Sequence, residues 1–165
     1  MKTPKKKAAP SVSPESQLKT FIAKFEPHHQ KLIRSARKIL RTRFPTANEL
    51  VYDNYNFFVI GYSPTERPSD TIVSLAAGGN GVGLSFYHGA DVPDPHKLLL
   101  GSGNQNRFIR LASAAVLEQP EVEELITAAI TQANAPLPST GKGKLVVRSV
   151  SAKQRPRKKS AEKKK

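Results

Sequence analysis

The dipeptide Phe44-Pro45 divides the chain between two hydrophobic periods, and no other feature restricts the fold as much. Before it, Leu18, Phe21, Ile22 and Phe25 repeat at i, i+3, i+4 and i+7, one apolar face of a short helix. Ser13-Pro14-Glu15 supplies the start signal: a capping hydroxyl, proline at the first helical position and an acid in the first turn. Glu26-Pro27 interrupts, because proline lacks the N–H that a continuing helix needs and restricts the residue before it. A second helix is predicted from Pro27 to Arg43. Leu32, Ile33, Ala36, Ile39 and Leu40 form its buried stripe; Lys31, Arg34, Lys38 and Arg41 form a ridge on the other side, with Arg37 nearby.

After Pro45 the period shortens. Residues 49–53 and 55–62 are rich in β-branched and aromatic side chains and read as strands. A polar loop at 63–70 leads to a third strand at 71–77, and Gly78-Gly79-Asn80-Gly81 marks a tight turn into a fourth at 82–88. Asp94-Pro95 reads as the cap of a short helix reaching Leu100, and 107–111 as a fifth strand. Val122, Leu125, Ile126, Ala129, Ile130 and Ala133 trace a closing amphipathic helix with Glu121, Glu123 and Glu124 at its positive end. The sum is an α+β fold: two N-terminal helices, a mostly antiparallel sheet of about five strands, and a C-terminal helix.

Charge sorts the chain into segments. Over 165 residues the formal net charge is +14. Residues 1–17 carry four Lys against Glu15, and residues 136–165 carry eleven Lys and Arg against one Glu, so the 118 residues between them are close to neutral. Residues 1–13 and 136–165 hold too little apolar surface to offset the entropy of ordering them and are expected to be basic, mostly disordered tails around a domain at 14–135. Residues 145–150, Leu-Val-Val-Arg-Ser-Val, have strand chemistry inside the second tail; docking on a sheet edge, disorder and pairing with a partner strand all stay open, the last being least favoured. Within the core, residues 18–43 hold eight basic side chains against Glu26, while 44–135 hold four against ten acids.

Several chemistries fall away. With no Cys there are no disulfides, thiolate metal sites or Cys nucleophiles. Lys5-Lys6-Lys7 leads into Ala8-Ala9-Pro10-Ser11 rather than the apolar stretch of a signal peptide, so a cytoplasmic location without membrane association is expected. No nucleophile, base and orienting group stand together, and a non-enzymatic role without a cofactor is favoured over catalysis. His88, Asp91, Asp94 and His96 fall within nine residues, but their spacing follows no zinc pattern and Asp94 is better explained as a cap. Residues 101–107, Gly-Ser-Gly-Asn-Gln-Asn-Arg, lack the Walker lysine and the strand-before, helix-after context of a phosphate loop; a turn is the better reading.

Two constellations remain. Lys5, Lys6 and Lys7 at one end and Lys153, Arg155, Arg157, Lys158, Lys159, Lys163, Lys164 and Lys165 at the other could neutralise phosphates of DNA or RNA without reading sequence. Contacts to about five phosphates would give a slope of log K against log salt near −4 to −5. Alternatively, the tyrosine-rich strands could line a pocket for a small molecule or metal ion, possibly catalytic, with Tyr52 and Tyr55 on its wall and Glu49, His88 and Arg107 around it.

Three stretches, Arg-Thr-Arg-Phe-Pro-Thr-Ala-Asn-Glu-Leu-Val-Tyr at 41–52, Pro-Asp-Pro-His-Lys-Leu-Leu-Leu-Gly-Ser-Gly at 93–103 and Asn-Arg-Phe-Ile-Arg-Leu at 106–111, carry a resemblance to the YdhG-like domain-of-unknown-function family. The resemblance spans roughly residues 16–135 and implies a small bacterial cytosolic α+β domain with no established reaction. Some members carry a frataxin-like iron-chaperone label. Such iron handling uses a dense ridge of hard oxygen ligands, whereas the first helices here are basic.

Overall fold

The computed structural model describes residues 12–158. Helix α1 spans Pro14–Ile22, and the Ser13 side chain accepts the N–H of Ser16 as its cap. Helix α2 spans Pro27–Arg43, ending where Phe44 leaves helical geometry. Strands β1 (Asn48–Asp53), β2 (Phe58–Ser63), β3 (Val73–Gly78), β4 (Gly81–Phe86) and β5 (Arg107–Arg110) follow, then helix α3 (Pro120–Thr131) and strand β6 (Leu145–Val150). The architecture is α+β, with a six-stranded sheet in the order β5-β4-β3-β2-β1-β6. Every neighbouring pair is antiparallel except β1 with β6. Among the described residues, no helix is long and apolar enough to cross a membrane.

The helices cover one face of the sheet. Alternation along each strand sends Val51, Phe58, Ile60, Tyr62, Val73, Leu75, Val82, Leu84, Phe86 and Ile109 to that face, where they meet Leu18, Phe21, Phe25, Ile33, Ala36, Leu40, Leu125 and Ile126. Phe58 lies against both Phe21 and Phe25, with ring centroids 6.1 and 6.0 Å apart. Each such buried aromatic contributes about 1.5–3 kcal/mol through apolar burial alone. Arg43 reaches across from α2 to bond Glu123 and Thr127 of α3, tying the outer helices together. This pairing uses part of the charge split between the basic helices and the acidic remainder.

Two expectations need correction. No helix follows Asp94: its carboxylate accepts the N–H groups of Leu98 and Leu99, both at 2.9 Å, but holds an irregular turn. Lys97 adopts φ of 57°, left-handed backbone that a right-handed helix cannot contain. Leu100 then exchanges two backbone hydrogen bonds with Phe108.

The second correction concerns residues 136–158, expected to be mostly disordered. Residues 145–150 dock as the edge strand β6, one of the alternatives the sequence leaves open, and pair with β1 through a register shift at Val51/Tyr52. The approach is tight: a Cβ at Gly143 would overlap the Ala47 carbonyl, so only glycine lets this stretch pass. Beyond β6 the chain remains tied to the β1 end. Ser151 donates its N–H to the Asp53 carbonyl, the Gln154 amide donates to that same carbonyl, and Arg155 donates its N–H to the Tyr55 carbonyl. Asp53, fully buried, holds Lys24 at 2.7 Å with one carboxylate oxygen and Arg157 at 2.8 Å with the other.

Candidate nucleic-acid interface

The sheet face opposite the helices is left open by the chain's choice of small residues. Ser74, Ala76 and Gly78 of β3 alternate outward beside Gly81, Gly83 and Ser85 of β4, giving a flat floor with little side-chain relief. These residues floor a groove of about 1130 Å³. One wall is the β1–β2 turn, where Asn56 and the half-exposed ring of Phe57 stand up. The other is β5, with Phe108 and Arg110 on the same face two residues apart. The Arg110 guanidinium lies 5.6 Å from the Phe108 ring centroid. Asn80 and Asn106 add amide donors and acceptors at the ends.

The C-terminal segment completes the rim. Arg155, Pro156 and Lys158 border the groove, and Arg155 lies 5.8 Å from the Tyr55 ring centroid. Pro156 can cross here because residue 79 is glycine: a Cβ there would come within 2.9 Å of the Pro156 carbonyl oxygen. The groove lining includes three cations and no carboxylate. The rings of Phe57 and Phe108, the cations beside them, amides and an uncluttered floor suit flat, conjugated, anionic ligands.

The basic residues singled out in the sequence fall into three groups. Lys5, Lys6, Lys7, Lys159, Lys163, Lys164 and Lys165 lie outside the described residues. Lys153, Arg155 and Lys158 are exposed. Arg157 is different and leaves the phosphate-binding set: only 4% exposed, it is spent on Asp53 and on the Asn54 carbonyl. A fully buried carboxylate needs a buried cation, and that requirement decides where Arg157 goes.

The five residues of the suggested pocket do not come together: strand alternation separates Glu49 from Tyr52, and Tyr55 and His88 lie outside the strands. Glu49 points to the helix face. It is held by Arg37 through a two-pronged ion pair at 2.8 and 3.0 Å, and it accepts the Tyr62 hydroxyl at 2.8 Å. Burial, followed by the Glu49 charge, pushes the Tyr62 phenol well above its ordinary range. Burial opposes the Arg37 charge, but hydrogen bonds to Glu49 and Glu15 outweigh it and hold the guanidinium firmly protonated. Tyr52 is on the opposite face; burial raises its phenol, and its hydroxyl is enclosed without a closed hydrogen bond although the Arg148 charge is felt. Tyr55 is exposed in the β1–β2 turn, since β1 ends at Asp53 and breaks the alternation. His88 sits between the Ser69 carbonyl and Asn134, and the Arg107 guanidinium closes its own loop by donating to the carbonyls of Gly103 and Asn106.

Among the described residues, no three His, Asp or Glu side chains gather to hold a metal ion. His96 pairs with Glu124, and Asp94 is occupied by backbone N–H groups. The groove-lining Phe57, Phe108 and Arg110 escaped the sequence reading. The usable signal is the period-two run of Ser, Ala and Gly on adjacent strands, which leaves a face with little apolar side-chain surface to bury. No protein-family model, curated protein or solved structure matches the chain.

Proposed function

We propose that the protein is a non-enzymatic, YdhG-like binding module whose open sheet face takes a single strand of nucleic acid, with the terminal lysines adding sequence-independent phosphate contacts. The observation that carries this reading is the groove itself: the exposed ring of Phe57 and the half-buried ring of Phe108 flank a flat floor, Arg110, Arg155 and Lys158 ring it, and no carboxylate lines it. Unpaired bases present π-faces that stack on such rings, whereas a duplex hides them. Lys158, the last described residue, is on the groove rim.

Salt dependence separates the contributions. Three groove cations acting on a single strand correspond to a log–log slope of about −2. Anisotropy titrations of a labelled oligothymidylate against residues 12–158, and against the full chain, test this. The 12–158 fragment should bind with that shallow slope, the full chain should show a steeper one, and duplex binding should disappear with the termini. A fragment that fails to bind at low salt, beside a full chain that binds single strand and duplex equally, would reduce the activity to the terminal lysines.

A further inference from the structure

A second concave surface, on the helix side and separate from the sheet face, is a groove of about 810 Å³ between α1, α2 and residues 141–145. Seven basic side chains line it against two carboxylates, Glu15 and Glu49. The two acids are not equivalent. Glu49 is 5% exposed and locked by Arg37 and Tyr62, so its charge is already neutralised within the fold. Glu15, on the first turn of α1, has a half-exposed side chain that sits on the remaining edge of the Arg37 fork at 2.9 and 3.3 Å.

Arg41 approaches both carboxylates no closer than 3.8 Å, leaving its hydrogen-bond donors uncommitted. Arg34 bonds only the Gln30 side chain, and Lys38 has no ion pair among the described residues. Arg34, Lys38 and Arg41 follow one another at helical spacing, so three cations and the outer edge of Arg37 face one space. Beneath them Leu18, Ile22 and Phe44 supply an apolar floor.

The geometry points to this groove as a site for a small phosphorylated molecule, whose phosphate takes the place of the Glu15 carboxylate on Arg37 and is closed in by Arg34 and Arg41. Glu15 acts as an internal stand-in for the anion: a carboxylate held in a guanidinium fork with the geometry that a phosphate would adopt. Arg37 is thereby pre-positioned by Glu49 and needs no reorganisation when the exchange occurs.

The test is calorimetric titration of the full chain with pyrophosphate at low ionic strength, with Glu15→Gln and the double variant Arg34→Gln/Arg41→Gln in parallel and a short DNA duplex as the competing source of phosphate. All three positions are exposed on helices, and circular dichroism verifies that the variants fold. One site per chain is expected. Glu15→Gln should tighten it about two- to fivefold by removing the competing carboxylate, and the double arginine variant should weaken it at least about tenfold by deleting charge-assisted bonds. Duplex binding, governed by the termini, should change little. Uptake without a defined stoichiometry and indifferent to the arginines, or weaker binding by Glu15→Gln, would overturn the proposal. So would a loss confined to duplex binding, which would make the groove part of a nucleic-acid surface.

Discussion

Replacing Asp53 by Asn removes one negative charge from a place where the fold cannot tolerate the loss. The Asp53 side chain is wholly buried, and its two oxygens hold Lys24 and Arg157 at 2.7 and 2.8 Å. Lys24 is 38% exposed and can turn to water, so its share is about 1 kcal/mol or less. The Arg157 side chain is 2% exposed, and its Nε and second terminal nitrogen are already buried without partners. If it stays in place opposite an uncharged amide, the uncompensated guanidinium costs about 3–5 kcal/mol. If it escapes, residues 154–158 leave with it and the hydrogen bonds of Gln154 to Asp53 and Lys24, and of Arg155 to Tyr55, are lost. At about 0.5–1.5 kcal/mol each, those three bonds give a loss of similar size. Both routes therefore place the destabilisation at about 1.5 kcal/mol or more. Urea unfolding followed by far-UV circular dichroism measures it, and limited trypsin cleavage tells the routes apart, since Lys153 and the buried Arg157 become susceptible only when the segment is released. A loss below about 0.5 kcal/mol would refute the reasoning and mean that Arg157 is solvated.

Tyr62→Phe deletes a buried donor to a carboxylate and should cost about 1.5–3 kcal/mol at neutral pH. It should also flatten the alkaline limb of the stability profile. The folded phenol is pushed well above the unfolded value near 10, so above that pH only the unfolded chain releases its proton and stability falls by up to about 1.4 kcal/mol per pH unit. Unfolding at a series of pH values from 8 to 11, for both proteins, checks the difference in slope. Gly143→Ala should destabilise by about 1–3 kcal/mol, because its Cβ would overlap the Ala47 carbonyl. Increased amide exchange in β6, with β2 and β3 unchanged, would locate the damage; an unaffected melting temperature would mean that β6 adds nothing to stability.

The helices and inner strands were legible because their determinants are local. Glu26-Pro27 and Phe44-Pro45 bound α2 whatever surrounds it, and the apolar stripe from Ile33 to Leu40 needs only its own spacing. The fate of residues 145–157 is set elsewhere. Their composition is that of a solvated tail, and what orders them is the open edge of β1, the Ala47 carbonyl and the buried charge of Asp53, roughly a hundred positions earlier. The one advance hint was Asp53 itself, an acid ending the run Leu50-Val51-Tyr52: if buried, it demanded a cation that the neighbouring sequence does not provide. The residues of the suggested pocket are kept apart for a related reason. Glu49 and Tyr52 are three apart on one strand, and odd spacing puts them on opposite faces. Aromatic content pointed to the strands, but the groove is built from what those strands lack, with its rings supplied by a turn and an edge.

Stacking in that groove is the central claim, and single alanine replacements of Phe57 and Phe108 in the full chain test it most directly. Both rings are solvent-accessible, so their removal leaves the helix-side core untouched. Affinity for a single-stranded oligonucleotide should drop about 5- to 150-fold for each variant, the range that corresponds to losing one base–aromatic stack, while affinity for a duplex of the same length stays constant. Unchanged single-strand binding in both variants would contradict the account and leave the open sheet face without a part in nucleic-acid recognition.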